Sequence, residues 1–137
     1  MPVILNLRLD AALQYATRGW RVLPLHGIIC SDPTADPPAR NYCTCGKSIN
    51  CLTPGKHPRI KTGRAHAAAS TDPAIIAGWW RRWPNSNVGV ATGNGLCVID
   101  IDGRAGIETL QRAMQGLGLA SIPRTLQASS GRPDGGM

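Results

Sequence analysis

The 137-residue chain contains no phenylalanine, and its 16 glycines and 11 prolines are many for its length. Loops must therefore occupy much of it. No run approaches the roughly 18 apolar residues that a membrane span requires. Met1 to Leu9 has neither a basic leader nor the long apolar stretch of a secretory signal. A cytoplasmic protein with no membrane partner is expected. Five cysteines are an odd number for a disulfide framework. Four of them sit close together near histidines, which in a reducing compartment favours metal over crosslinks. Internal repeats, coiled-coil heptads and low-complexity tracts are also missing.

Acids are scarce too. Lysine and arginine outnumber them 15 to 8. None lies between Asp36 and Asp72, where Arg40, Lys47, Lys56, Arg59, Lys61 and Arg64 all fall. Such a stretch either attracts a polyanion or forms a solvated basic face. An apolar share of 42% and four tryptophans fit a folded chain, and its length allows one modest core in one domain.

Leu5, Leu9, Ala12, Leu13 and Ala16 recur at helical spacing, and Gly19 is placed to stop that helix. Trp20 to Leu25 reads as a short strand ended near Pro24. Residues 27–69 keep no period and are broken by Pro33, Pro37, Pro38, Pro54 and Pro58. A structureless loop of that length is unusual in a compact domain, so something should tie it down. Asp72-Pro73 opens a second helix, with Ile75, Ile76, Trp79, Trp80 and Trp83 on one broad face. That spacing favours packing of the tryptophans over base stacking. Asn87 to Ala91 and Leu96 to Ile101 flank Thr92-Gly-Asn-Gly95, which predicts a hairpin. Ile107, Leu110, Met114 and Leu117 predict a third helix ending at Gly118, and Thr125 to Ser129 a further strand.

On the predicted strand, Asp100 and Asp102 project from one face, roughly 7 Å apart at Cα. That spacing suits two carboxylates sharing hard divalent ions such as magnesium, which activate a hydroxyl and stabilise a leaving pyrophosphate. By itself the Asp-x-Asp pattern equally suits glycosyltransferases, phosphatases and ordinary strand-end turns.

Cys43-x-Cys45-x5-Cys51-x5-His57 offers three thiolates and an imidazole within 15 residues, enough for a closed tetrahedral zinc site. Cys30 is a further candidate ligand, and free thiols in an inserted loop are the alternative. Four protein ligands leave no open position, which argues for a structural ion. His26 and His66 fall outside the set. Either is placed to meet phosphate, although a lone histidine is more often simply part of a surface.

The ordered features resemble the N-terminal domain of bifunctional DNA primase/polymerases, of the archaeo-eukaryotic primase type found in phages, plasmids and related elements. The matching stretches are Ala11 to Trp20 with Val22-Leu-Pro-Leu25, Gly55-Lys-His-Pro58, and Gly63 to Pro73. They continue through Trp79-Trp80, Trp83-Pro-Asn85, Asn87 to Gly93, and Gly95-Leu-Cys-Val-Ile-Asp-Ile-Asp-Gly103. The resemblance implies an α/β fold of mixed α+β character, in which an α/β unit adjoins a core related to the RNA-recognition fold. Residues 1–137 would form a partial domain of this kind, with 27–69 as its basic, Cys/His-rich insertion.

The same resemblance makes Asp100 and Asp102 ligands of catalytic Mg2+ or Mn2+ in phosphodiester formation. It makes Cys43, Cys45, Cys51 and His57 structural Zn2+ ligands, and Lys56, Lys61 and Arg64 contacts to template or phosphate. Ser129 and Ser130 begin a Ser/Gly-rich approach to a phosphate-binding histidine. Neither that histidine nor the family's third acid precedes Met137, so an incomplete catalytic module, inactive alone, is expected. DNA template and nucleoside triphosphates are the implied substrates, with a helicase domain or protein as a further partner. Two other readings stay open: a zinc-stabilised nucleic-acid-binding remnant without catalysis, and a metal-dependent phosphoesterase using the same acids.

Overall fold

The computed structural model describes residues 6–29, 42–47, 50–61 and 63–129. In chain order the elements are α1 (Leu7–Thr17), β1 (Val22–Leu25), β2 (Ile28–Ile29), β3 (Tyr42–Cys43), a 3-10 turn (Ala65–Ala68), α2 (Pro73–Arg82), β4 (Asn87–Val90) and α3 (Gly103–Gly116). This is the expected mixture of helices with small antiparallel sheets. The chain divides into two compact units, Met1–Leu96 and Cys97–Met137.

In the first unit, local chemistry sets the helix ends. Asn6 Oδ1 accepts from the Arg8 and Leu9 amides and caps α1. Gly19, at φ +77°, ends it. The amides of Gly19 and Trp20 return to the carbonyls of Ala16 and Tyr15, the paired bonds of a Schellman stop. Asp72 caps α2 through the Ala74 and Ile75 amides, with Pro73 at the first turn. The inward faces of α1 and α2 place Ala12, Ala16, Ile76 and Trp80 against Val22 of β1. Trp80 is 1% exposed, and its indole N–H is satisfied by the Ser86 carbonyl at 3.2 Å.

β1 pairs antiparallel with β4, from Val22↔Val90 to Leu25↔Asn87. Pro24 does not end the strand; it lies inside it. Val22, Pro24 and His26 turn their backbone polar groups to the edge away from β4. On that edge Val22 exchanges bonds with Ser70, Arg59 N–H donates to Pro24 O, and His26 N–H donates to His57 O. The donor that proline lacks falls on this loop-covered edge, so the β1–β4 ladder loses nothing. Leu23, Ala69 and Ala91 form a second small cluster with Leu25, Ile60 and Ala65.

The expected hairpin forms only its turn. Asn94 and Gly95 have positive φ, and Gly93 and Leu96 exchange backbone bonds of 2.8 and 3.1 Å. Residues 97–101 then form no strand, and neither do Thr125 to Ser129. Val98 and Ile99 are 65% and 60% exposed. A segment apolar on both faces is coded for a central strand, and no strand among the described residues pairs with it. The second unit is therefore built on α3, which ends as predicted. Gly118, at φ +66°, and Leu119 return their amides to Gln115 and Met114. No residue of α3 is buried.

Candidate metal centre and the surrounding charges

β2 and β3 pair through Ile28↔Cys43 and Ile29↔Tyr42, which anchors the first cysteine beside the end of β1. Thr44 N–H donates to Gly27 O and fixes the turn that carries Cys45. The chain returns through Cys51 and Gly55 to His57, whose carbonyl is held by the His26 amide at 2.9 Å. Gly55, at φ +73°, lies so close to Ile28 that a Cβ there would meet its Cγ1 at 2.9 Å. Glycine is required at that position. Asn87 Nδ2 of β4 also donates to Gly55 O at 3.0 Å.

The result brings together all four predicted ligands. One donor atom from each of Cys43, Cys45, Cys51 and His57 lies within 4.8 Å of the others. Cys43 Sγ and Cys51 Sγ stand 3.3 and 3.4 Å from His57 Nε2. Zinc bonds of about 2.3 Å to sulfur and 2.1 Å to nitrogen give a tetrahedral S···N edge of roughly 3.6 Å. The donor set and its spacing fit a tetrahedral zinc ion with no open position.

The electrostatics favour a thiolate at Cys43. Burial alone pushes its thiol up, but the amides of Gly55 and Cys45, with donors from His57 and Cys45, outweigh it and hold the thiol down to about 6. Cys51 moves the other way, raised by burial and then by the neighbouring Cys45 and Cys43 sulfurs, against a lowering bond from the Thr53 amide. Three residues around the centre were not singled out as support for it from the sequence. His26 lies against the His57 ring, with centroids 4.5 Å apart, and its Nδ1 is 2.9 Å from Thr44 Oγ1. Burial, then the nearby His57 and Arg59 charges, depress its pKa. Arg59 reaches Thr44 Oγ1 at 3.4 Å, and its own pKa is lowered by burial. The position of Thr44 between two ligands was the available signal.

Among the described residues of the first unit, the other predicted site residues lie outside this cluster. Lys56, Lys61 and Arg64 are exposed on the segment that follows or flanks His57, and His66 is exposed in the 3-10 turn. In the second unit Asp100 is exposed in irregular chain, and Asp102 is the exposed N-cap residue of α3, with a side chain that accepts no capping bond. The strand expected to lead to them is not formed at residues 97–101, with which no strand among the described residues pairs. Ser129 is exposed; Ser130 and Cys30 lie outside the described residues.

A helix-backed β1–β4 pair whose open edge carries a Cys3His knot, followed in sequence by an Asp-x-Asp helix start, defines a small α/β unit with a cluster able to hold a metal. The profile of the bifunctional DNA primase/polymerase N-terminal domain (Prim-Pol) matches residues 12–137, and the chain belongs to this family. No curated protein and no solved structure matches the chain significantly. It is thus a primase/polymerase-type domain, in a family whose general activity is nucleotidyl transfer and whose substrates are DNA and nucleotides.

Proposed function

We infer that the chain contributes to template-dependent DNA primer synthesis or extension, with Asp100 and Asp102 holding Mg2+ or Mn2+. The observation carrying this reading is the family match across residues 12–137, which includes the Asp-x-Asp segment. The exposed carboxylate of Asp102, accepting no bond from the helix it heads, is compatible with that role. A divalent ion there would supply charge for activating a 3′-hydroxyl and stabilising pyrophosphate. Zn2+ at Cys43, Cys45, Cys51 and His57 is structural in this reading, because its four donors close the coordination sphere. Replication of a phage, plasmid or related element is the proposed setting, with a helicase as the further partner.

The test is primer synthesis and extension on single-stranded DNA by the full-length gene product carrying this chain. Asp100→Asn and Asp102→Asn are expected to abolish both activities while leaving zinc content and helical signal intact. Normal synthesis by the double variant would refute the assignment.

The excess of basic residues in the first unit favours a second reading, a zinc-stabilised nucleic-acid-binding module without catalysis. It predicts salt-sensitive DNA binding, weakened by charge removal at Lys56, Lys61 and Arg64, and no synthesis with either metal.

A further inference from the structure

Three arginines from three separate parts of the chain converge on the turn after α2. Arg82, at the end of α2, places its guanidinium carbon 5.0 Å from the Trp83 ring centroid. Arg59, two residues beyond the ligand His57, lies 5.3 Å from the same ring, with Nη1 3.5 Å from Ser86 Oγ. Arg8 of α1 donates from Nη1 to the Asn85 carbonyl. The tryptophan face orients the two planar cations without using their N–H groups; Arg59 directs Nη1 to Thr44 and Ser86 and has further N–H donors beyond it.

Among the described residues no carboxylate pairs with any of the three. The described residues of the first unit include ten lysines and arginines but only two carboxylates, Asp10 and Asp72. Asp72 is engaged in capping α2. Among the described residues the only ion pair is Arg104–Glu108, in the other unit. Arg59 meets one partial counter-charge, the Cys43 thiolate. Arg8 and Arg82 are exposed.

We propose that Arg8, Arg59 and Arg82, arrayed on the Trp83–Ser86 turn, form a clamp for the phosphodiester backbone of a DNA strand, with Arg59 set in place by the metal knot. This rests on the nucleic-acid reading above and adds the surface that carries it. Guanidinium forks match phosphate oxygens, and three cations anchored on one turn hold a fixed geometry that mobile surface lysines do not. A strand fits better than a nucleoside triphosphate. A triphosphate in a transfer site arrives with a divalent ion held by carboxylates, and among the described residues of the first unit the one carboxylate not engaged in capping is Asp10. The ring itself is occupied by guanidiniums, so the clamp reads phosphate and not base.

The test measures binding of fluorescein-labelled oligothymidylate to the zinc-loaded chain by anisotropy, between 50 and 200 mM salt. Arg18→Gln is the control. Arg18 lies over a different ring, that of Trp20. It is ten residues along α1 from Arg8, about 15 Å at the helical rise. Single-strand affinity scales with salt to a power of about −0.7 per phosphate contact, so losing one contact near 0.1 M salt lowers affinity about fivefold. Arg8→Gln and Arg82→Gln are each expected to show that loss and to flatten the log–log salt slope by about 0.7. Arg59→Gln, checked for unchanged zinc content, is expected to do the same, whereas Arg18→Gln leaves the slope unchanged. Equal losses in Arg18→Gln and Arg82→Gln would overturn the clamp in favour of diffuse charge, and full displacement of the oligomer by ATP at equal phosphate concentration would overturn the strand assignment. If Arg8→Gln/Arg82→Gln binds normally while Asp100→Asn still abolishes synthesis, the clamp fails and the polymerase reading stands.

Discussion

Removing the metal should do more than loosen one loop. Four backbone or amide bonds join the knot to the β1–β4 pair and the two residues that follow β1: His26 N–H to His57 O, Arg59 N–H to Pro24 O, Thr44 N–H to Gly27 O, and Asn87 Nδ2 to Gly55 O, all between 2.9 and 3.0 Å. A net contribution of about 1 kcal/mol each makes the attachment worth about 4 kcal/mol. Domains of this size are stable by only about 5–15 kcal/mol. Among the described residues the buried hydrophobics are few, led by Ile76, Trp80 and Val22, so little else there compensates. One kcal/mol moves the midpoint of a small domain by about 4–8 °C, and loss of the knot should lower Tm by roughly 15–30 °C. Cys51→Ser is the perturbation of choice, because Cys51 lies outside both strands and its thiol is already disfavoured as thiolate. Metal content by plasma spectrometry and melting by circular dichroism give the readout, with chelation of the wild type as a parallel arm. A variant that binds no zinc yet melts within about 5 °C of wild type would refute the reasoning.

The metal-free protein should gain stability as pH rises from about 6 toward 9, because folding depresses the Cys43 thiol from 9.0 to about 6. The folded chain holds fewer protons than the unfolded one across that window; the contribution is fully present above 9, about 1 kcal/mol at pH 7, and gone below 6. Urea melts at pH 6 and pH 8 check this, and Cys43→Ser should flatten the difference. Gly27→Ala would press a Cβ onto the Asn85 backbone carbonyl, which no side-chain rotation relieves; a loss of about 1–3 kcal/mol or more in chemical denaturation is expected. Hydrogen exchange should show protected amides in β1 and β4, since both are paired, and rapid exchange at 97–101, which has no ladder partner among the described residues.

What the sequence made legible was local chemistry. Asn-Gly at 94–95, Asp72-Pro73 and the glycines at 19 and 118 each act through their own φ or their own capping atom, and each takes the predicted role. Where pairing decides the outcome, the reading faltered. Pro24 looks like a strand end because proline breaks ladders, yet its missing donor points at the loop edge, a fact fixed by Ser70, Arg59 and His57 far along the chain. Val98 to Ile101 has the composition of a central strand, but composition states only which faces want cover. It does not supply the neighbour.

The candidate site divides along the same line. Cys43, Cys45, Cys51 and His57 could be read because thiolates and imidazole in a coreless segment have few other physical reasons to cluster, and four donors within 4.8 Å bear that out. Their supports could not. Thr44 matters because it receives Gly27, His26 and Arg59 at one hydroxyl, and no periodicity connects residues 17 or 15 apart. The same holds for Arg8, Arg59 and Arg82, which in sequence are three separate basic residues and in space share one turn. A charge count predicts that a polyanion will be attracted; only the fold shows that the Trp83 turn, which Arg59 reaches from the acid-free loop, gathers planar cations, and on that ground it is the place to test for bound DNA.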